Sequence, residues 1–425
     1  MLRVSDTLGE RVAVDTPSGI LAYAELAAMS RAGAAELEVG VGERVAIALP
    51  AGIDFAVALH ACFVAGAIAV PVDLREPRER WPIAGAVVDR PLGWSGRELE
   101  QRAMSLDDVA VIVRTSGTAN GTPQEVPLTY GNFAWGAIGS AVALGLDPQE
   151  RWLCTLPLTH VGGLSILIRS AIYGTTAVVH ERFDARAACD ALMNDEITLV
   201  SVVATTLQRL LDVGLENPPK LRCALAGGGS IPAALIERAE QAGVHVSQTY
   251  GLTEACSQVA TQPAGAARSA GAGPPLFCTR VELAPDGEIL VSGPTVSPSV
   301  GGVLATGDLG ELDSEGNLSV IGRKADTIIT GGENVAPTEV EAVLLGHPAV
   351  AEAGVYGAAD AEWGEAVCAL VVLRAPASTQ TLRAHCASRL APYQVPKRID
   401  VVDSLPRTAS GKLRRSELGS PNAAP

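Results

Sequence analysis

Basic residues are in short supply in this 425-residue chain: 32 Lys and Arg stand against 47 Asp and Glu, a formal net charge of -15. A phosphate backbone is bound by a basic surface, so no nucleic-acid partner is expected, although a local basic pocket for a nucleotide is compatible with this balance. Aromatic residues are scarce as well, at 4% against 48% hydrophobic, which requires a core built from Ala, Val, Leu and Ile. The eight cysteines include no C-x-x-C pair, so neither a structural zinc site nor a disulfide framework is indicated, and a reducing cytoplasm fits best. Residues 1–10 lack the basic-then-apolar order of a secretory signal, so none is expected. Stable membrane insertion is not expected either. The apolar run 55–72 is interrupted by His60, divided by Gly66 and carries Pro71 near its end, which reads as a buried helix followed by a buried strand.

What the chain does have is length for two or more folding units and an α/β texture. Segments 44–49, 109–114, 198–203 and 244–247 are short, β-rich and apolar, and they alternate with Ala/Leu/Glu stretches such as 232–242. That alternation predicts parallel sheet covered by helices. After Gly265 the pattern changes to short strands with turn signals at Pro285-Asp286-Gly287 and Ser314-Glu315-Gly316, a small antiparallel or barrel-like section. From Lys324 a turn containing Gly331 and Gly332 leads to a helix opening near Pro337, with Glu339 and Glu341 placed to suit its dipole. The domain boundary is placed at 324.

Five segments carry chemistry. The strand 109–114 runs into Thr115-Ser116-Gly117-Thr118, a loop whose amides and hydroxyls either cradle phosphate oxygens or form a plain turn. Gln248-Thr249-Tyr250-Gly251-Leu252-Thr253-Glu254 follows a strand, where open α/β sheets bind ligands: Tyr250 offers a ring to a purine and Glu254 an oxygen ligand to Mg2+, unless they are a capped turn and a surface carboxylate. In Thr306-Gly307-Asp308, Asp308 suits both ribose hydroxyls or a tight turn. Arg323 supplies a cation and Asp326 a hinge or cap carboxylate, with a surface ion pair as the alternative. Finally, Lys412 lies beside Gly411 near the C-terminus, where a lone lysine is ordinarily solvated.

Taken in order, these segments resemble the adenylate-forming superfamily of acyl-CoA synthetases, peptide-synthetase adenylation domains and luciferases, across nearly the whole chain. Between them, Thr129-Tyr130-Gly131-Asn132, 137–140, the stretch 156–167 containing His160 and Gly163, Arg169-Ser170, 201–205, Ser257-Gln258 and Trp363-Gly364 are similar to the o-succinylbenzoate-CoA ligase family of menaquinone biosynthesis. The resemblance implies an α/β enzyme. Its large N-terminal AMP-binding and acid-binding domain, residues 1–323, would comprise two α/β sheets and a β-barrel; a small mobile α+β domain, residues 324–425, would carry the catalytic lysine. It further implies ATP, Mg2+ and coenzyme A as partners of a small carboxylic acid, and it leaves a homo-oligomer open.

The same resemblance assigns roles. Lys412, Glu254 and His160 would be catalytic, with Glu254 holding the metal. Thr115, Ser116, Gly117, Thr118, Gly228, Gly229, Tyr250, Gly251, Thr253, Asp308 and Arg323 would hold the nucleotide, and His160, Gly163, Arg222, Gln248 and Thr249 the acid. His160 is alternatively a packed histidine. The small domain would dock in two orientations, one bringing Lys412 to the adenylation site and the other bringing the turn 331–334 to the thioester-forming site.

One departure stands out. Gln124 and Glu125 occupy positions where the family has Lys and Gly, in a loop one residue longer, which should weaken ATP binding without abolishing it, since the Coulomb cost in water is ~1 kcal/mol at 4 Å. Another aromatic or medium-chain acid, or a non-catalytic nucleotide-binding relative, are the competing readings.

Overall fold

The computed structural model describes residues 8–93, 96–115, 124–265, 271–407 and 413–419. Strands that are apolar at every position can only be stable with both faces covered, and that is how the first half of the chain folds. An eight-stranded sheet runs in the spatial order Ser257–Thr261, Val246–Leu252, Cys223–Ala226, Leu199–Val202, Arg151–Cys154, Thr176–Val179, Val12–Thr16 and Gly19–Ala22. Its six inner strands are parallel to their neighbours and its two outermost are antiparallel. Short strands such as Leu199–Val202 and Cys223–Ala226 are buried throughout, as their unbroken apolar sequences require.

A second sheet of five strands, in the order Ala86–Val88, Arg44–Ile47, Ile68–Pro71, Val109–Thr115 and Gln124–Thr129, is parallel except for its last member. Within it lies the run first read as helix then strand. Ile53–Ala65 is a helix buried from Phe55 onward, Gly66 ends it in the left-handed region at φ +70°, and Ile68–Pro71 is the strand. Among the described residues no helix is long and apolar enough to cross a membrane.

The section after Gly265 is a four-stranded antiparallel sheet, Arg280–Leu283, Glu288–Ser292, Val303–Leu312 and Leu318–Arg323, bridged to the first sheet's side through Ala260–Pro275 and Gly273–Leu318. Beyond it, Glu333–Val335, Ile328–Thr330, Gly364–Leu373, Val350–Asp360 and Arg398–Val401 make a mixed sheet covered by helices Pro337–Leu345 and Thr379–Ala387. This last unit has an apolar core of its own, including Ile328, Val340, Leu344, Val355, Val367, Val371 and Leu382.

His60 sits in the core of the second sheet, only 3% exposed, with Nδ1 unpartnered among the described residues and its ring edge-on to Phe63 at 5.6 Å. Burial lowers its pKa from 6.5 to about 4. The unfolded chain therefore takes up this proton first as pH falls, and stability is lost between pH 6.5 and about 4, by about 3 kcal/mol in all. Urea midpoints of wild type and His60→Leu should diverge in pH dependence across that window, the variant having the flatter profile. Parallel profiles would refute the assignment.

Candidate nucleotide and acid site

Four parallel strands end at one edge of the eight-stranded sheet, and the residues that follow them converge there: 156–160 after Arg151–Cys154, Val203 after Leu199–Val202, 227–229 after Cys223–Ala226, and Tyr250 and Gly251 in the distal half of Val246–Leu252. The last strand is held in place by its own side chains. Thr249 Oγ1 lies 2.8 Å from Thr261 Oγ1 and donates to the Ala260 carbonyl at 3.0 Å, while the Gln248 N–H donates to Gln262 Oε1 at 3.0 Å. The register shifts between Tyr250 and Gly251, and a Cβ at Gly251 would stand 1.7 Å from the Ser257 carbonyl oxygen. Only glycine fits that approach. Gly228 occupies the left-handed region at φ +78° in the turn alongside.

Three residues expected to hold the nucleotide meet at Asp308. Its strand pairs with Leu318–Arg323 so that Asp308 stands opposite Arg323, whose Nε lies 2.7 Å from Oδ1. Tyr250 donates its phenolic O–H to the other carboxylate oxygen at 2.7 Å. Burial first, and the adjacent Asp308 charge second, push the Tyr250 pKa far up, so the phenol stays a donor at every working pH. The Asp308 N–H donates to Thr306 Oγ1, which donates in turn to the Ile289 carbonyl. A carboxylate has about four acceptor positions, so Asp308 keeps capacity for two hydroxyls beside these partners.

Glu254 lies on the short 3-10 turn Thr253–Ala255, and its carbonyl accepts from the Ser297 N–H at 2.7 Å. Ser297 Oγ donates to the Pro127 carbonyl at 2.7 Å, which ties this turn to the strand emerging from the phosphate-loop motif. The half-buried Glu254 carboxylate has no hydrogen-bond or ion-pair partner among the described residues. No group of three or more metal-donor side chains occurs among the described residues. Thr115 closes the strand Val109–Thr115; Ser116, Gly117, Thr118 and Lys412 lie outside the described residues. The Glu125 carboxylate pairs with Arg44 Nη1 at 2.9 Å, which partly offsets its charge.

On the acid side, His160 is the residue before helix Val161–Tyr173, half-buried and close enough to Asp73 to help Arg75 lower that carboxyl's pKa. A Cβ at Gly163 would sit 2.6 Å from the Pro157 carbonyl oxygen, so the helix can open this close to the preceding turn only with glycine there. Cys154 lies beneath, but burial pushes its thiol to about 12, which leaves no thiolate for covalent chemistry.

These motifs recur together in known proteins. The profile of the AMP-binding enzyme family matches residues 3–82 and 85–299, and that of the AMP-binding enzyme C-terminal domain matches 339–412. The chain belongs to the AMP-binding enzyme family. A 2-succinylbenzoate--CoA ligase of Bacillus subtilis is 43% identical over 355 residues, 78% of this chain and 73% of that protein. The o-succinylbenzoate-CoA synthetase of Bacillus subtilis solved with its acyl-adenylate intermediate superposes with a TM-score of 0.90 at 38% identity, covering 99% of this chain and 97% of that one. Its complex with ATP and magnesium ion gives 0.88 at 37%, covering 99% of each. A double mutant of the same synthetase bound with a CoA product analogue gives 0.69 at 38%, covering 96% of each.

Arg222, expected among the acid-binding residues, is placed at the opposite end of its strand from the turn 227–229 and is engaged by other protein groups. Arg222 precedes its strand, at the amino edge, four residues before the end of Cys223–Ala226. Its Nε donates to Glu150 Oε1 at 2.6 Å and its Nη1 to the Leu144 carbonyl, and Thr198 completes the cluster through Glu150 Oε2. A buried cation named in the resemblance, without being given a role, is Arg169. It is 3% exposed, its guanidinium lies 5.7 Å over the Trp152 ring, and it has no carboxylate partner among the described residues. Burial lowers its pKa, and Ser165, one turn earlier on the same helix face, has a buried hydroxyl also without a partner there. The signal was visible in the sequence as a single Arg, with Ser at i−4, inside an apolar helical run. Arg222→Ala should leave the acid's KM unchanged but destabilise the fold by about 3 kcal/mol, because Glu150 would be buried without its cation. Thermal unfolding and steady-state kinetics on one preparation check both halves.

Proposed function

We propose that this chain is an AMP-forming acid-thiol ligase that converts o-succinylbenzoate and coenzyme A to o-succinylbenzoyl-CoA through an acyl-adenylate, in the cytoplasm and as a step of menaquinone biosynthesis. The observation that carries the reading is 43% identity over most of a 2-succinylbenzoate--CoA ligase, combined with Tyr250, Asp308, Arg323 and Glu254 gathered at one sheet edge. Residues 1–323 form the nucleotide- and acid-binding domain and residues 324–425 the mobile one, which turns between an adenylation and a thioester-forming orientation. The separate apolar core of the latter domain supports this division.

In the first half-reaction an acid carboxylate oxygen attacks the α-phosphorus of ATP and pyrophosphate departs. Both reactants are anionic, so the lysine ammonium of residue 412 offsets their repulsion and the charge on the pentacoordinate transition state. Glu254 would be the protein ligand of Mg2+, which would supply charge neutralisation to the pyrophosphate leaving group. Asp308 and Arg323 orient the ribose, and the Tyr250 ring flanks the purine. In the second half-reaction the coenzyme A thiolate attacks the acyl carbonyl and AMP leaves as the mixed anhydride breaks. No protein nucleophile is needed, in keeping with the raised thiol pKa of Cys154. The dicarboxylate has one carboxylate that is not activated, and Arg169 with Ser165 is the buried cation and donor pair that receives it.

The decisive assay is pyrophosphate release with ATP and Mg2+, comparing o-succinylbenzoate, benzoate, a fatty acid and no acid, followed by mass detection of the CoA thioester. Release selective for o-succinylbenzoate supports the reading; selectivity for another acid moves the substrate, and no release with any acid indicates a non-catalytic relative. Lys412→Ala should slow adenylation by ~10²- to 10³-fold with the fold intact. Arg169→Leu should raise the KM for o-succinylbenzoate about 10- to 100-fold, the range of one charge-assisted contact, and leave any benzoate turnover unchanged. Equal effects on both acids would count against Arg169.

A further inference from the structure

Three contacts meet around the segment Lys324–Asp326, and they differ in what they hold. On its amino side, Lys324 is tied to the antiparallel sheet, pairing with Asp286 and with Glu288 at 3.0 Å; Glu288 is itself fixed by accepting the Gly307 N–H at 2.9 Å. On its carboxyl side, Asp326 is tied to the C-terminal unit. Its Oδ2 lies 3.1 Å from Arg415 Nε, and the same guanidinium grips Glu341 and donates to the Val355 carbonyl, with only 16% of the Arg415 side chain exposed. Lys324 is thus anchored to the antiparallel sheet and Asp326 to the C-terminal unit, with Ala325 between them in a 3-10 turn.

The third contact spans that pivot. Thr338, in the first turn of helix Pro337–Leu345, donates its hydroxyl to the Ile321 carbonyl on the strand Leu318–Arg323. The approach is close enough that a Cβ on Gly322 would lie 3.2 Å from Thr338 Oγ1. A turn about Ala325 carries Thr338 away from Ile321 while leaving the Lys324 and Arg415 anchors intact. The arrangement that contains this contact is the one that superposes on the acyl-adenylate complex at TM-score 0.90, against 0.69 for the CoA product-analogue complex at the same 38% identity.

We propose that Thr338 is a positioning residue for the first half-reaction: its hydrogen bond to Ile321 latches the C-terminal unit in the adenylation arrangement and must break before the thioester is formed. This rests on the proposed turning of residues 324–425 between two orientations. The experiment measures the half-reactions separately in the full-length protein, as pyrophosphate release with o-succinylbenzoate and ATP, and as thioester formation from synthetic acyl-adenylate and coenzyme A. Thr338→Val, which keeps the shape and removes the donor, should slow the first about three- to tenfold, the factor one neutral hydrogen bond supplies, and leave the second equal or faster. Thr338→Ser should restore the wild-type ratio. A Thr338→Val protein in which both half-reactions fall together, or in which their ratio is unchanged, overturns the latch. Wild type inactive in both assays overturns the activity reading alone. Small-angle X-ray scattering then decides the latch: a shifted profile for Thr338→Val supports it, and profiles matching wild type overturn it.

Discussion

The Asp308 carboxylate is the joint on which the rest of this molecule depends. Its side chain is only 8% exposed, and a carboxylate in that position is tolerated only when charge and lone pairs are answered by well-placed donors. Tyr250 answers from the eight-stranded sheet and Arg323 from the neighbouring antiparallel strand, so one buried anion adds a polar link between two sheets that also share an apolar cluster including Val259, Ile289 and Leu318. The segment that leads to the C-terminal unit begins at the next residue, Lys324. The nucleotide side of the site and the start of the pivot are therefore set by the same group.

Strand direction assigns the remaining roles. A parallel sheet has two chemically different edges, and loops at the carboxyl edge are free to gather glycines, hydroxyls and a lone carboxylate, as at 227–229, Thr249 and Glu254. The amino edge is used for stability: Arg222, Glu150 and Thr198 form a closed cluster there with its charges paired internally. Arg169 is the opposite case. A guanidinium that is buried without a carboxylate is costly to the apo protein, and an anionic ligand relieves that cost by bringing the missing charge. The same argument explains how a chain of net charge -15 can bind three anionic substrates, since only the local field in the cleft matters to them.

Much of this was legible in the sequence because the relevant signals are local. The helix and strand either side of Gly66, the alternation that makes parallel sheet, and the short motifs around Tyr250, Asp308 and Arg323 are each decided within a few residues. What was misread depended on three-dimensional direction. Arg222 stands five residues before Gly227 and looks adjacent to the site, but four strand residues at about 3.3 Å each put it about 13 Å away, at the wrong edge. The partner of Glu125, Arg44, could not be read from the sequence because it is on a strand 81 residues earlier. Arg169 was named in the resemblance but given no role because a helix that is apolar on nearly every side reads as core wall, and nothing in one dimension says that its one cation lacks a carboxylate partner.

The two half-reactions also explain why the C-terminal unit is built with a core of its own. The first needs a lysine ammonium close to the reacting phosphate, while the second needs a path for a thiol to the same acyl carbon. In the proposed two-step scheme one unit presents two different surfaces in turn. A unit whose packing is self-contained, as the cluster from Ile328 to Ile399 is, can turn as a body without exposing apolar surface. The cost of turning is then limited to polar contacts that water can replace. Because each such contact contributes little on its own, the two arrangements proposed above would differ little in free energy, and substrates or products would shift the balance between them.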